Sequence, residues 1–230
     1  MTDVVKKDDF VELKYTGYAN GKIFDSNIEM DLKELDEKAQ PVKTIISVGN
    51  EMVVKGFDKA LEGKEIGKEY EIILNKDEGF GERKRDLIKT IPLKVFHEKN
   101  VDPKPGMSFV VDNMLVRIIT VSGARVIADF NNPLSGKEIK YKFTITRKVE
   151  DEKEKVECLF TTFFRFMPEY KIKAKENKVI AKGPKGFDVF VNAYKDKFKE
   201  IIGKELAFEE KKERKKEASK EEKKQETAKA

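Results

Sequence analysis

Residues 139 to 146, IKYKFTIT, alternate apolar and polar side chains without a break, the pattern of a strand with one buried face. A strand leaves its backbone N–H and C=O groups unsatisfied unless it pairs, so this segment needs partners. Its neighbours in sequence offer none. Three strand-like runs precede it, at 107 to 111, 114 to 121 and 125 to 130, joined by turns at Asp112 and Asn113 and at Ser122 and Gly123. They are expected to close on one another as a small β-rich unit with its own partial core. The orphan strand must then reach back over them to a sheet begun earlier. Residues 86 to 131 are therefore expected to be an insertion within one domain.

That earlier sheet is legible in residues 1 to 85. Val11, Leu13 and Tyr15 alternate with Glu12, Lys14 and Thr16, and a turn at Asn20 and Gly21 leads into Lys22, Ile23, Phe24 and Asp25 as a hairpin. Residues 41 to 48 and 66 to 74 predict two more strands. Between them Val53, Val54, Phe57, Ala60 and Leu61 recur at helical spacing, and Gly63 supplies a stop. The insertion opens with Ile91 and Pro92 and a short helix over 93 to 99.

Beyond the orphan strand, residues 153 to 209 predict a C-terminal α+β domain. Leu159, Phe160, Phe163, Phe164, Phe166 and Met167 form an apolar cluster, and Tyr170, Ile172 and Ala174 turn through Glu176, Asn177 and Lys178 into Val179, Ile180 and Ala181. An amphipathic helix over 188 to 202 is expected to gather Val189, Ala193, Tyr194, Phe198, Ile201 and Ile202 on one face. Residues 210 to 230 are nearly all Lys, Glu and Ala and read as a helical extension or disordered tail.

Composition removes most chemistries. One cysteine, Cys158, leaves no disulfide framework, and one histidine, His97, leaves no His pair for zinc and a poor basis for a triad. Cys158 reads as a small buried residue, and His97 as a surface helix residue. Lys and Arg total 48 against 43 Asp and Glu, a near balance that argues against a dedicated nucleic-acid binder. No apolar run nears the roughly 20 residues of a membrane span. The first residues, MTDVVKKDDF, lack the apolar stretch of a secretory signal, so a cytoplasmic protein is expected.

Leu13, Lys14, Tyr15, Thr16 and Gly17, then the run 20 to 26, then 48 to 57 (VGNEMVVKGF) and 77 to 81 (DEGFG), together resemble in order and spacing the FKBP-type peptidyl-prolyl isomerases. Residues 130 to 137, FNNPLSGK, are similar to a signature of the SlyD-like members, in which an insert-in-flap chaperone domain interrupts the loop over the active site. The resemblance covers about residues 5 to 150, and the extra C-terminal block is similar to long archaeal forms. It implies an α+β fold: an antiparallel sheet wrapped on a short helix, formed by 1 to 85 and 132 to 152, with 86 to 131 as the chaperone insert.

The resemblance further implies an apolar cup in which Asp25, Tyr15, Phe24, Phe57, Phe80 and Tyr141 act on an X-Pro bond, with Val53 and Val54 holding substrate. Phe57 would seat the proline ring, the Val54 N–H would bind a peptide carbonyl, and Asp25, oriented by Tyr15, would face the polarised carbonyl. Phe57 stands where many members have Trp, and Phe80 where they often have Tyr. Such chemistry needs no cofactor and no metal, and the nickel-binding tail of bacterial SlyD-like members has no counterpart after Cys158. In the insert, Met107, Phe109, Met114, Leu115, Val116, Ile118 and Ile119 outnumber what some 45 residues can bury, so Phe109, Met114, Val116 and Ile118 are expected to line a groove for unfolded or nascent polypeptides. The Phe-rich C-terminal block predicts a homodimer. Ribosome or RNA contact through the tail is a lesser expectation, because its acids cancel most of the field. The alternative is a non-catalytic holdase that keeps the cup only as a peptide site.

Overall fold

The computed structural model describes residues 3–111 and 114–211. The turn expected at Asp112 and Asn113 and nearly all of the Lys/Glu tail lie outside the described residues. The described chain is α+β and divides into two compact units between Val149 and Glu150.

In the first unit, β1 (Phe10–Ala19) and β2 (Lys22–Ser26) form the hairpin, turning at Asn20 and Gly21 with φ of 51° and 74°. Two consecutive positive φ values make the primed turn whose twist matches the strands, which is why Asn-Gly occurs there. Helix α1 (Glu29–Leu35) follows, then β3 (Thr44–Ser47), α2 (Lys55–Leu61) and β4 (Glu69–Leu74). The insertion supplies β5 (Ile88–Pro92), α3 (Leu93–His97), β6 (Ser108–Val111), β7 (Met114–Ser122) and β8 (Arg125–Asp129). The orphan strand is β9 (Ile139–Lys148).

β9 finds both partners in the N-terminal sheet. It lies antiparallel between β1 and β4, with Tyr15 opposite Phe143, Gly17 opposite Tyr141 and Ile72 opposite Tyr141 on the other side. The sheet runs β2-β1-β9-β4, and β3 also pairs with β1. The core comprises Val11, Leu13, Ile46, Phe57, Leu61, Leu74, Ile139, Tyr141, Phe143 and Ile145. Phe57 and Leu61, four residues apart, put one face of α2 against the sheet. Helix α2 begins at Lys55 rather than Met52, leaving Val53 and Val54 in the loop before it. Helix α1 was not anticipated. Ile28, Leu32 and Leu35 recur at helical spacing along it, yet the helix buries no residue.

The insertion folds as its own sheet, ordered β5-β8-β7-β6, over Phe96, Val116, Ile118, Val126 and Ala128. His97 ends α3 and is exposed.

The second unit contains α4 (Glu152–Leu159), continued by a π-helical turn at Phe160–Phe164, then β10 (Glu169–Lys173), β11 (Lys178–Gly183), α5 (Phe187–Ile202) and β12 (Glu205–Glu210). Asp151 caps α4 by accepting the Glu154 N–H at 2.8 Å. Helix α5 crosses from β11 to a parallel β12, the one parallel pair among the described strands. The face of α5 differs from expectation. Val191, Phe198 and Ile201 are buried, whereas Val189 is 70% exposed. Cys158 is buried, and burial pushes its thiol up to about 12, against a weaker opposing hydrogen bond with Thr162. No helix among the described residues is long and apolar enough to cross a membrane.

Candidate active site

Strands β1, β2 and β9, the loop entering α2 and the loop after β4 bring one set of aromatic rings together. Phe57 and Tyr141 stack with centroids 4.4 Å apart and planes 11° from parallel. Tyr15 meets both edge-on at 6.1 and 6.2 Å, and Phe24 meets Tyr141 and Phe80 edge-on at 5.9 Å each. Phe57 and Tyr141 are buried in the core; Tyr15, Phe24, Val53, Val54, Phe80 and Leu134 are half-buried and pack against that core. The aromatic residues expected in the cup thus form one ring cluster, and Val53 and Val54 pack against the same hydrophobic core. Their arrangement differs from expectation in one respect. Phe57 is only 1% exposed and its face is covered by Tyr141, so it supports the cup from beneath, and the half-buried rings stand around it.

The backbone makes this packing close. An added Cβ on Gly17 would lie 2.7 Å from Phe24 Cζ and 2.9 Å from Tyr141 Cε1, so only glycine lets both rings lie over β1. The α2 entry loop is held by Asp58, a buried carboxylate that accepts the Gly49 and Glu51 N–H groups at 2.8 Å each. That anchor fixes the chain just ahead of Val53 and Val54. The Val54 carbonyl accepts from Asp58 N–H at 2.9 Å, while its own N–H donates to no acceptor among the described residues.

Polar order at the rim centres on Tyr15. Its hydroxyl donates to exposed Asp25 at 2.9 Å. Its N–H donates to Asn27 Oδ1 at 2.8 Å, and Asn27 Nδ2 reaches Leu13 O at 2.7 Å and Thr44 Oγ1 at 3.0 Å. Asn27 thereby stitches the end of β2 to β1 and β3. Burial, and then the Asp25 charge, raise the Tyr15 pKa well above the ordinary phenol range; the same two causes raise that of Tyr141. Both phenols therefore stay neutral donors.

The two connections to the insertion are tied to each other at one side of the cup. Ser135 Oγ donates to Phe80 O at 3.1 Å, and Gly136 N–H to Gly81 O at 2.8 Å. Buried Asn131 accepts from Lys84 N–H at 2.8 Å and donates back to Lys84 O at 3.0 Å, while Arg83 pairs with Asp129.

Within the insertion the expected groove is corrected. Val116 and Ile118 are fully buried, because strand alternation turns them onto the core face of β7. Phe109 is half-buried against Phe96, ring centroids 5.9 Å apart. Met114 is exposed as expected, and with it Met107, Val110, Leu115 and Ile119.

Gly17, Asn27, Asp58, Leu134 and Phe143 were not picked out as site residues. Gly17 and Leu134 do sit inside the recognised runs; Asn27 and Asp58 act only through contacts that the sequence does not display. Among the described residues no group of three or more His, Cys, Asp and Glu converges as metal ligands do. The arrangement offers an apolar surface with two phenols, one carboxylate and, among the described residues, a backbone donor without an acceptor.

Comparison with known proteins gives two family matches. Residues 2–96 match a model of the FKBP-type peptidyl-prolyl cis-trans isomerases, and residues 89–134 match one described as the FKBP26 IF domain. The chain is 33% identical over 156 residues to a protein of Methanocaldococcus jannaschii named short-type peptidyl-prolyl cis-trans isomerase, covering 66% of this chain and 96% of that one. It is 31% identical over 113 residues to the FKBP-type isomerase SlyD of Haemophilus influenzae, covering 47% of this chain and 58% of the relative. With SlyD of Helicobacter pylori it shares 25% identity over 155 residues, 64% of this chain and 77% of the relative.

Proposed function

The chain belongs to the FKBP-type peptidyl-prolyl cis-trans isomerases, and on that footing we propose that it turns X-Pro bonds in unfolded or nascent polypeptides held by its inserted unit. The barrier to be lowered is about 18–20 kcal/mol and arises from amide resonance. Water stabilises the charge-separated planar amide, so a cup that strips water favours the twisted form. Tyr15, Phe24, Phe80 and the valines supply that apolar surface, and Asp25, held by Tyr15, faces the amide. No nucleophile, cofactor or metal is needed.

Chaperone capture is supported by one observation above all. Met107, Val110, Met114, Leu115 and Ile119 are exposed on a unit whose two ends are bound beside Phe80. A segment held there has its X-Pro bonds at raised local concentration near the cup. In the second unit, Phe166 and Phe190 are exposed with ring centroids 6.5 Å apart, and Met167 and Val189, next to them in sequence, are exposed too, which supports a homodimer through that unit.

A protease-free isomerisation assay on a short peptide, run beside refolding of a proline-limited protein, tests this reading. Replacing residues 86 to 131 by a short loop should depress refolding far more than peptide isomerisation. Equal losses in both assays would remove the capture role. Asp25→Ala should lower both, and an unchanged rate would remove the catalytic role of the cup. A monomer in sedimentation at high concentration would remove the dimer.

A further inference from the structure

A peptide entering the cup carries carbonyl oxygens out of water, and each must find a donor or lose a hydrogen bond. Phe24, Phe57 and Phe80 have none to give. The Tyr15 hydroxyl is committed to Asp25. Tyr141 is different. Its side chain is 4% exposed, stacked on Phe57 and flanked by the edges of Phe24 and Tyr15. Yet its hydroxyl makes no hydrogen bond to any described residue, nor is that oxygen sealed. Among the described residues, the side-chain oxygens both sealed and without a hydrogen bond belong to Glu65 and Glu152, each ion-paired with a lysine. A nearly buried ring within the aromatic cluster thus ends in an unused, unsealed donor. Burial, and then the Asp25 charge, keep that phenol protonated well past neutral pH.

We infer that the Tyr141 hydroxyl donates a hydrogen bond to a backbone carbonyl of the X-Pro segment in the cup, making it a substrate-holding group as well as a wall. This deepens the isomerase reading and rests on it. With the Val54 N–H it gives the cup two donors not used by the protein itself, enough to hold the chain while the prolyl bond turns between them. Phe24 and Phe80 then act by excluding water and by shape, over the support that Phe57 gives.

Tyr141→Phe tests it, because the ring and the stack remain and only the oxygen goes. The full-length variant should keep the wild-type Tm within about two degrees, since no intramolecular bond is lost. Its kcat/KM on a short X-Pro peptide should fall about two- to tenfold, the range of one net hydrogen bond. A second readout uses peptides in which each carbonyl flanking the X-Pro bond is replaced in turn by a thiocarbonyl, a poorer acceptor. One replacement should penalise the wild type and leave Tyr141→Phe nearly unaffected. An unchanged kcat/KM in Tyr141→Phe, a loss that tracks a fall in Tm, or equal thiocarbonyl penalties in both proteins would each overturn the assignment. If the wild type itself fails to isomerise the peptide, the isomerase reading falls; if it is active and Tyr141→Phe equals it, only the hydroxyl's role falls.

Discussion

Phe57 and Tyr141 lie face to face at 4.4 Å although they come from α2 and β9, the two sides of the insertion. Phe57 also meets Phe143 edge-on at 5.0 Å, so it joins the cup to the core beneath. Removing its ring opens a cavity in the core of the unit. Phe57→Ala should cost about 3–5 kcal/mol in denaturant unfolding, and Phe57→Leu about 1 kcal/mol. Because the ring is a support, Phe57→Leu should retain most isomerase activity. A loss as severe as that of Asp25→Ala would mean that the ring meets substrate directly.

Gly17 stands opposite both Asp25 on β2 and Tyr141 on β9. Its missing Cβ makes room for Phe24 and Tyr141, each of which would be met at under 3 Å. Gly17→Ala should therefore force both rings aside, at about 1–3 kcal/mol by urea unfolding. Activity should fall further than that stability change alone explains, since the displaced rings form the wall. A variant with wild-type kinetics would show that the wall tolerates the shift.

Much of this was legible because the unit is built on β-strand alternation. Val11, Leu13 and Tyr15, and Ile139, Tyr141, Phe143 and Ile145, all point as a period of two requires. The misses have separate physical causes. Val116 and Ile118 are apolar in a strand where apolar Leu115 and Ile119 occupy the other face, so composition does not say which face is core. A register shift between Ile118 and Thr120 complicates the pattern further. Val189 was misjudged because α5 buries the stripe of Val191, Phe198 and Ile201, and the sheet beside it includes β12, whose short apolar run was not recognised as a strand. The burial of Phe57 depends on Tyr141, distant in sequence, and the apolar set Ile28, Leu32 and Leu35 that marks α1 spans only two turns.

Four acids share one direction of shift. Tyr15, Tyr141 and Tyr170 are raised from 10.0, each chiefly by burial, and Cys158 is raised from 9.0 to about 12. A folded pKa above the unfolded one stabilises fully below the unfolded value and is lost as pH rises towards the folded value. Stability should thus be level through neutral pH and decline once pH passes about 9–10, where the unfolded chain ionises first. Differential scanning across that range checks this, and Cys158→Ala should delay the onset. Stability that stayed level to pH 11 would contradict it.

Asn131 joins the outgoing and returning chains where the insertion leaves the sheet, and its Nδ2 also donates to Asp129 Oδ1 at 2.7 Å. Burial works against the Asp129 charge, but hydrogen bonds from Asn131 and Arg83, with the Arg83 charge, outweigh it and lower its pKa below 3.8. The sign is opposite to that of the phenols. The junction's contribution is complete above the unfolded carboxylate pKa and is lost as pH falls through the lower folded value. Asn131→Ala leaves the part-buried Lys84 N–H without its acceptor and should cost about 0.5–1.5 kcal/mol. Hydrogen exchange should then show the insertion opening independently of the larger sheet, already at neutral pH. In the wild type the same separation should appear only under acid, and Asp129→Asn should remove that acid dependence. If the insertion and the sheet exchange together in Asn131→Ala, the two lobes are coupled by packing rather than by this clamp.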